Sequence, residues 1–460
     1  MKEAIEKRKK LFIGIISIIV IMLAIYLGGT FYFKDRFLFG TVINGVKASC
    51  MTVEEVESEL ASDLSQYFLN ITGRDGTNET INGSDFGLTF DSKGKVQEIK
   101  DTQSNFKWIL APFKSKVLDN YQVASYKIED LNSAIDSLSS VSGEDVTDPK
   151  NATVEYTEDG YKIVSEIIGN RINKEKLYSL ANEAVLNNVK SLDLEALDCY
   201  VNPEFTSESD KVISARDALD NYIKAEITYT FGSNVETVTK DNIVEWVDVD
   251  ENLDVVFDEN KVRYFIDTMG YKYNTVGKNR EFLSSEGKTV IVPGGNYGWK
   301  INGPKETEEL ISLIKNSEIV TREPIYYQKA VSHGANDYGN TYVEIDLGKQ
   351  HIWFYNNGNL MTESDIVTGN VVNNWATPPG AYFLNYREKN AVLKGEDYET
   401  PVTFWMPFNG GIGLHDALWR TEFGKDIYYA GGSHGCVNLP YEVAEIIFNN
   451  IKPGDPVILY

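Results

Sequence analysis

An uncharged run of 23 residues near the N-terminus constrains the chain more than any other feature. It extends from Leu11 to Phe33 and reads LFIGIISIIVIMLAIYLGGTFYF. As an α-helix it would be about 34 Å long at ~1.5 Å per residue, enough to cross the roughly 30 Å hydrocarbon core of a bilayer. The basic cluster KRKK precedes it. The positive-inside rule therefore predicts a cytoplasmic N-terminus at residues 1–10 and an extracytoplasmic remainder.

A cleaved signal peptide is the alternative interpretation of this run. The apolar region of a signal peptide is usually ~7–15 residues long and ends at a small-residue cleavage site. The run here is longer and is followed directly by KDRF. We therefore predict a single-pass protein of the cell membrane, with one transmembrane helix at 11–33 and its larger part on the cell-wall side.

Charge and cysteine content exclude some classes of protein. The chain has 68 acidic and 44 basic residues, for a formal net charge of -24. Nucleic-acid binding needs clustered Lys and Arg, so we expect no nucleic-acid partner. Three cysteines cannot form a disulfide framework. Cys50 and Cys199 could pair outside the cell, but two unpaired small apolar side chains fit a chain so poor in cysteine.

The residues after the apolar run mix helix and strand patterns. The stretch TVINGVKAS is typical of a strand, and Thr52 and Glu55 have the spacing of a capping box at the start of an amphipathic helix. Residues 152–189 predict two short strands with a turn at Asp159-Gly160, followed by a helix. These patterns indicate an α+β module.

A short internal repeat predicts a second module of the same kind. GNRIN at 169–173 and GWKIN at 298–302 share G-x-x-I-N, and each stands between a β-rich stretch and a helical pattern. Chance similarity is the alternative, but the shared order of elements favours duplication of one α+β unit. We place the two modules at 34–205 and 206–320. The polar segment 321–340, with Gly, Asn and Pro, is predicted to be a linker.

The last 120 residues, 341–460, have the pattern of a β domain. Apolar and polar residues alternate from Thr341 onward and are interrupted by Asn-Asn-Gly, which is a hairpin signature. One helix is predicted from Tyr441 to Asn450, after Pro440, whose fixed φ suits a helix start. We expect a mostly antiparallel β domain with one main helix.

A glycine-rich segment near the C-terminus carries the chemically active residues. GGSHGCVNLP contains Cys436 and His434, and a further histidine, His415, lies in GIGLHD. The thiolate is the reactive form of cysteine, so a thiol with a pKa near ~8.5 needs an imidazole or backbone amides beside it. The glycines allow backbone amides to approach a developing oxyanion. Residue types and spacing favour a thiol nucleophile and leave the two histidines equal as candidate bases.

Two other interpretations of Cys436 stay open on these patterns. Two histidines, Cys436 and Asp416 could bind zinc, but the usual ligand spacings are missing. A buried structural thiol is also common. His333 is interpreted as a loop residue without a role and His351 as a structural residue within a strand. We expect no metal and no cofactor.

The stretch GIGLHDALWRTEFGKDIYYAGGSHGCVNLP resembles the active-site signature of the L,D-transpeptidase family. That signature is a histidine segment followed about twenty residues later by S-H-G-C-x-N or S-H-G-C-x-R. EIDLGKQHIWFYNNG is similar to the opening hairpin of that domain, and TGN followed by TPPGAY resembles its next block. The resemblance covers 341–460 and implies a β-sandwich or barrel. Residues 34–320 resemble, more loosely, the peptidoglycan-binding domains often found in front of it.

The resemblance implies a role for each signature position. Cys436 would be the nucleophile, His415 the general base, and the amides of Gly435 and Cys436 the oxyanion hole. Asp416 stands where many members have glycine, so either its side chain or its backbone carbonyl could orient the imidazole. The other signature positions are Ser433, His434 and Asn438, of which Ser433 and Asn438 are expected to bind substrate. Trp405, Met406 and Tyr386 are expected to line the substrate groove, with the alternative that WMPF belongs to the core of the β domain.

The implied reaction is acyl transfer through a thioester on Cys436. The thiolate would attack the carbonyl of the third residue of a peptidoglycan tetrapeptide stem and expel D-alanine. An amine of a neighbouring stem would then give a 3→3 cross-link, whereas water would make the enzyme an L,D-carboxypeptidase. Carbapenems would acylate the same thiol slowly. A catalytically silent wall-binding protein is the alternative from another class.

Overall fold

The computed structural model describes residues 1–118, 122–395 and 399–460, without the side chain of Asp75. These residues form two compact units. The first comprises Met1–Thr153 and Ile163–Ser209, and the second comprises Val154–Lys162 and Asp210–Tyr460.

The first unit begins with the apolar helix and continues with small sheets and short helices. Its helices are α1 (Lys2–Tyr32), α2 (Val53–Ser65), α3 (Lys95–Asp101), α4 (Ile128–Asp136), α5 (Ser139–Ser142) and α6 (Lys174–Leu186), with 3-10 turns at Arg74–Gly76, Gly83–Phe86 and Asn105–Phe113. Its strands are β1 (Thr41–Ile43), β2 (Phe68–Thr72), β3 (Asn78–Asn82), β4 (Thr89–Phe90), β5 (Lys116–Leu118), β6 (Ala124–Ser125) and β9 (Ser191–Asp193). The hairpin of β7 (Thr153–Thr157) and β8 (Gly160–Val164), which precedes β9 in the chain, belongs mainly to the second unit. Helix α1 is long and apolar enough to cross a membrane, and its most apolar stretch is not buried against the rest of the protein.

Local capping explains where several of these helices begin. Thr52 Oγ1 accepts from the Glu55 amide at 3.2 Å and Glu55 Oε2 accepts from the Thr52 amide at 2.8 Å, which confirms the predicted capping box before α2. In the repeated G-x-x-I-N, the asparagine is a helix N-cap in both copies: Asn173 caps α6 and Asn302 caps the helix that begins at Gly303. Cys50 and Cys199 are both free thiols, so the alternative of a disulfide between them is wrong.

The second unit opens with α+β structure. Its elements are α7 (Asp210–Tyr222), β10 (Glu226–Phe231), β11 (Asn234–Val238), α8 (Lys240–Trp246), β12 (Val247–Val249), β13 (Val255–Phe257), α9 (Glu259–Tyr273), β14 (Arg280–Leu283), β15 (Thr289–Val292), β16 (Lys300–Ile301), α10 (Gly303–Lys315), β17 (Ile319–Arg322) and β18 (Tyr326–Gln328). A three-stranded sheet, ordered β11-β10-β17, forms its centre.

The segment predicted as a linker, 321–340, is folded. It contains the end of β17 and all of β18, and the side chain of Asp337 is only 2% exposed. Asp337 accepts two hydrogen bonds from the buried guanidinium of Arg280, with Arg280 Nη2 3.0 Å from Asp337 Oδ2. His333, predicted to be a loop residue without a role, stacks on Trp299 with ring centroids 3.9 Å apart. A pairing partner 57 residues away in sequence cannot be recognised from the polar composition of this segment.

The C-terminal part of the second unit contains two sheets and one main helix. Its elements are β19 (Tyr342–Asp346), β20 (His351–Asn356), β21 (Asn359–Asp365), β22 (Gly380–Phe383), β23 (Glu388–Lys394), β24 (Glu399–Asn409), β25 (Ile412–Asp416), α11 (Ile427–Gly431), β26 (Val437–Leu439), α12 (Tyr441–Asn450) and β27 (Pro456–Leu459). The sheets are ordered β21-β20-β19-β27-β22 and β23-β24-β25-β26. Among the described residues neither sheet closes into a barrel, so the mostly β prediction is confirmed and the barrel alternative is wrong.

The core between these sheets fixes their faces. Buried apolar residues of both sheets and of α12 form one cluster, which includes Val343, Phe354, Phe404, Leu414 and Ile447. Pro440 directly precedes α12, as predicted. The Asn-Asn-Gly turn joins β20 to β21, with Asn357 and Gly358 at φ +51° and +80°, the left-handed region that a two-residue hairpin turn requires.

Candidate active site

The register of the four-stranded sheet brings three polar residues to one face. His415 on β25 pairs with Trp405 on β24 and with Asn438 on β26. Directly opposite residues share a face of the sheet, and Cys436 lies two residues before Asn438, so the thiol is on that face too. Cys436 and His415 line one cavity of about 230 Å³.

Hydrogen bonds define the tautomer of His415. Its Nδ1 lies 2.9 Å from the carbonyl oxygen of Asp416, which can only accept, so Nδ1 carries a proton. Its Nε2 lies 3.0 Å from Asn438 Nδ2 and is the acceptor in that pair. The imidazole is 3% exposed, and burial lowers its pKa, opposed by the hydrogen bond to the Asp416 backbone. His415 is therefore neutral at pH 7, with its basic nitrogen on the Asn438 side.

Asp416 orients the imidazole through its backbone. Its side chain is turned away from the ring, and Asp416 Oδ1 accepts from the amides of Thr403 and Phe404 at 2.8 Å each. This carboxylate is 1% exposed and ties β25 to β24. Of the two possibilities for Asp416, the structure shows the backbone carbonyl as the group that contacts His415.

Cys436 stands in surroundings that favour the neutral thiol. Burial raises its pKa, opposed by a hydrogen bond from the Gly413 backbone. The Sγ–H donates to the carbonyl of Gly411 at 3.7 Å. Burial disfavours the thiolate of Cys436 and the imidazolium of His415 alike, and we call these two groups, in their neutral forms, the neutral pair.

The Ser433 hydroxyl holds the turn that carries the thiol. Ser433 Oγ donates to the Cys436 carbonyl at 2.6 Å and accepts from the Gly435 amide at 3.1 Å. The Gly435 amide, expected to contribute to an oxyanion hole, is therefore already hydrogen-bonded. Gly435 has φ +114°, a conformation that side chains disfavour.

Two upstream blocks fix this turn from behind. In the TGN block, the carbonyl of Thr368 accepts from the Ser433 amide at 3.0 Å and the Asn370 amide donates to the Ser433 carbonyl at 2.8 Å. In the TPPGAY block, Thr377 Oγ1 donates to the Gly435 carbonyl at 2.7 Å. The sequence resemblance marks both blocks, and the structure shows that they support the turn.

Arg420 is a site residue that sequence reasoning missed. Its Nε donates to Asn438 Oδ1 at 2.7 Å and its Nη2 to the Gly431 carbonyl at 2.9 Å. Since a guanidinium only donates, Asn438 must present its oxygen to Arg420 and its amide nitrogen to His415. The available signal was an arginine five residues after His415, inside the quoted signature stretch.

His434 forms part of the cavity wall. Its imidazole is exposed and stacks on Trp375, with ring centroids 4.1 Å apart and 35° between the planes. Trp419, Arg420 and Leu393 complete much of the lining.

The three predicted substrate-groove residues differ in position. Met406 is fully buried in the core between the sheets, so it does not line the cavity and that prediction is wrong. Trp405 is 6% exposed and packs beside Cys436. Its ring also lies against Gly413, where an added Cβ would come within 2.7 Å of the ring atoms. Tyr386 is 47% exposed, and its hydroxyl accepts from Trp405 Nε1 at 3.3 Å.

The side chains around the thiol do not form a set of metal ligands among the described residues. Within residues 1–118, 122–395 and 399–460, no three His, Cys, Asp or Glu side chains converge as metal ligands would. Asp416, the fourth member of the hypothetical zinc set, is committed to two backbone amides.

Comparisons with known proteins give the class of the chain. Residues 340–459 match the YkuD family model, described as the L,D-transpeptidase catalytic domain, and residues 205–320 match the model described as "Putative peptidoglycan binding domain". An L,D-transpeptidase from Enterococcus faecium, solved as a cysteine-to-serine mutant, is 32% identical, with 55% of this chain and 100% of that chain covered and a TM-score of 0.45. The catalytic domain of the E. faecium enzyme acylated by ertapenem is 40% identical over 26% of this chain and 98% of that chain, with a TM-score of 0.25. No curated protein sequence matches the chain.

Two findings show to which family the chain belongs. It is 32% identical to the E. faecium enzyme over the whole length of that chain, and residues 340–459 match the catalytic-domain model. The chain belongs to the L,D-transpeptidase family and is an enzyme that acts on peptidoglycan. This confirms the resemblance drawn from the SHGC segment.

Proposed function

We propose that the protein is a membrane-anchored L,D-transpeptidase that forms 3→3 peptidoglycan cross-links through a thioester on Cys436. The observation that carries this proposal is the arrangement of His415 and Cys436 on one sheet face and in one cavity. The Asp416 carbonyl accepts a hydrogen bond from Nδ1–H, so Nδ1 keeps its proton and Nε2 is the basic nitrogen of the site.

Because both groups are neutral, we expect the proton of Cys436 to pass to His415 while the sulfur attacks the substrate, and not before the attack in a preformed thiolate. Nε2 releases the Asn438 amide and takes the thiol proton of Cys436 as Sγ bonds to the stem carbonyl carbon. The C–N bond to D-alanine then breaks, and the imidazolium of His415 returns the proton to the departing amine. An acceptor amine attacks the thioester, and its proton passes through His415 to the released sulfur.

The backbone amides that could stabilise the oxyanion belong to the turn that carries Cys436. The Gly435 amide must leave Ser433 Oγ before it can donate to the tetrahedral intermediate, whereas the Cys436 amide lies on the same turn. Ser433, Gly435 and Asn438 thus act in positioning, and His434 contributes to the wall of the substrate cavity.

Helix α1 and the module before the catalytic domain are consistent with an enzyme that acts on the cell-wall side of the membrane. Helix α1 supports anchorage at the cell membrane, since its exposed apolar surface needs a lipid environment. The module match at 205–320 supports contact with peptidoglycan. We assign domains as in the sequence prediction, with 34–205 and 206–320 before the catalytic domain at 341–460.

Defined stem peptides test this function. The full chain is incubated with a tetrapeptide donor and a separately labelled acceptor, and the products are identified by mass. Cross-linked dimers with loss of D-alanine are expected, and Cys436→Ala should give neither. Loss of D-alanine without dimers would show a carboxypeptidase, and unchanged peptides would leave only a binding function.

Acylation by a carbapenem provides a second test of the nucleophile. The E. faecium catalytic domain, 40% identical, is acylated by ertapenem. We expect ertapenem to add its mass once to this protein and not to Cys436→Ala. A mass increase that persists in Cys436→Ala would overturn the assignment of Cys436.

A further inference from the structure

A 3-10 segment of the first unit is attached to the side of α1 near the C-terminal end of that helix. Trp108 Nε1 donates to the Tyr26 carbonyl at 3.1 Å, and the Tyr26 hydroxyl donates to the Phe106 carbonyl at 3.0 Å. The Trp108 ring lies directly against Gly29 and occupies the space that a side chain at this position would need. A Cβ added to Gly29 would lie 2.3 Å from the nearest atom of the Trp108 ring. These contacts fix the segment Asn105–Phe113 against the apolar helix.

The attachment point lies at the outer boundary of a membrane crossed by α1. If the hydrocarbon core begins at Leu11, after the last lysine, ~30 Å at ~1.5 Å per residue ends near Thr30. Tyr26 and Trp108 are thus at the depth where tyrosine and tryptophan concentrate in membrane proteins. The neighbouring Asn105 side chain donates to the Thr30 carbonyl at 3.0 Å, which satisfies a backbone acceptor there.

Beside this attachment point the segment exposes large apolar side chains. They are Phe106 (59% exposed), Ile109 (52%), Leu110 (60%) and Phe113 (85%), and we call these four residues the juxtamembrane patch. Single exposed apolar residues are ordinary, but four within eight residues and next to an apolar helix form a continuous apolar surface.

The charge around the juxtamembrane patch is opposite to that of the whole chain. Residues 102–118 contain three lysines, Lys107, Lys114 and Lys116, and no acidic residue, in a chain of net charge -24. The same three lysines line a cavity of about 330 Å³ together with Leu110. Apolar side chains flanked by lysines are typical of segments that lie in a bilayer interface with anionic headgroups.

We propose that the juxtamembrane patch inserts into the outer leaflet of the bilayer that α1 crosses, with the three lysines on the phosphates of anionic lipids. This inference rests on the proposed anchorage through α1. It makes the first unit a membrane-bound body with two contacts to the bilayer, a span and an interfacial segment, in place of a domain on a single tether.

Photo-crosslinking to lipid tests the insertion. The full chain is reconstituted in vesicles of phosphatidylcholine and phosphatidylglycerol at 3:1, with p-benzoylphenylalanine placed at Phe113, at Ile168 or at Ile19. Ile168 is 54% exposed in the same unit and is the matched control, and Ile19, in α1, reports the span itself. We expect lipid adducts at Ile19 and Phe113, with a yield at Phe113 at least about five times that at Ile168.

The outcomes separate this inference from the anchorage. Adducts at Ile19 with Phe113 no higher than Ile168 would overturn the inserted patch and leave the anchorage intact. No adducts at Ile19 would overturn both. In the Phe113 protein, joint substitution of Lys107→Gln, Lys114→Gln and Lys116→Gln should lower the yield about threefold in the mixed vesicles and little in pure phosphatidylcholine. An unchanged yield in the mixed vesicles would remove the lysines from the proposal.

Discussion

The two ring nitrogens of His415 have different partners, and in the proposed mechanism this difference determines how Cys436 is activated. Nδ1 donates to a carbonyl that cannot move away without distorting β25, whereas Nε2 accepts from the side-chain amide of Asn438. A side-chain amide can rotate, so Nε2 is the nitrogen that becomes available to the thiol proton. Asn438 is therefore both a partner of the base and a group that the reaction must displace.

The pH dependence of acylation follows from the burial of His415. Burial lowers its pKa below the ordinary ~6.5, so the basic form persists to lower pH than in a solvated histidine. The ertapenem acylation rate should rise with pH along a limb whose midpoint lies below about 6.5, measured by intact mass from pH 4.5 to 9. Burial raises the pKa of Cys436, so a rate that rises only above pH ~8.5 would indicate a preformed thiolate and contradict the neutral pair.

Arg420 is a positioning residue whose loss should alter the same pH profile. In Arg420→Met the Asn438 amide loses the donor that fixes its orientation and can present its oxygen to His415 Nε2, which favours imidazolium. We expect acylation about tenfold slower at pH 6, consistent with one charge-assisted hydrogen bond of ~1.5–3 kcal/mol, and an acid limb displaced to higher pH. Arg420→Lys, which keeps the cation, should lie between. An unmoved limb in Arg420→Met would show that Arg420 does not orient Asn438.

The Asp416 side chain connects two strands and should matter for stability more than for catalysis. Asp416→Ala leaves the amides of Thr403 and Phe404 buried without an acceptor, at about 1–3 kcal/mol for each. We expect the free energy of unfolding to fall by about 2–6 kcal/mol in urea titrations. The backbone carbonyl that orients His415 is retained, so ertapenem acylation of the folded protein should stay within about threefold of the parent.

Asp416→Asn is the matched control, because its amide oxygen can still accept from both amides of β24. It should be destabilised less than Asp416→Ala. If instead Asp416→Ala acylates a hundredfold more slowly while folded, the carboxylate itself would act on His415.

Signals that lie within a few residues of one another predicted their elements correctly. The capping box at Thr52 and the proline before α12 each specify local backbone geometry, and the structure has both. Residue pairs distant in sequence were missed, because Asp337 reads as a polar loop residue until Arg280 is placed beside it. The prediction that Met406 lines the substrate groove is wrong for a related reason. Which of two adjacent residues faces the core depends on the register of β24, and that register is irregular between Pro407 and Asn409.

The site shows the same division between local and distant signals. The histidine and cysteine segments of the signature stretch supplied His415 and Cys436, two residues that the structure brings into one cavity. The residues that orient those groups act from elsewhere in the chain. Thr377 contacts Gly435 from 58 residues away, and Arg420, in the loop after β25, donates to Asn438 on β26. Neither arginine nor threonine at these positions carries a pattern of its own.

The catalytic domain and the α+β structure before it share a core within the second unit. Phe282 and Val292 of the β14–β15 hairpin cluster with Ala381 and Ile458 of the catalytic domain. The fully buried carboxylate of Glu344 accepts from the Ser285 amide at 2.8 Å, the Ser285 hydroxyl at 2.6 Å and the Tyr460 hydroxyl at 2.7 Å. A module that contributes side chains to the core of its neighbour also stabilises that neighbour.

Two adjacent residues of the β14–β15 hairpin test this coupling. Phe282 is 1% exposed and packs on Tyr342 and Tyr460, whereas Leu283, on the opposite face of the strand, is 62% exposed. Phe282→Ala should cost about 3–5 kcal/mol, the usual range for a buried phenylalanine, and Leu283→Ala should stay within about 0.5 kcal/mol. The readout is the urea concentration at which the full chain loses ertapenem acylation, since that reaction reports the catalytic domain alone. If Phe282→Ala unfolds the preceding module while acylation keeps the midpoint of the parent, the two parts fold independently and the shared core does not support the active site.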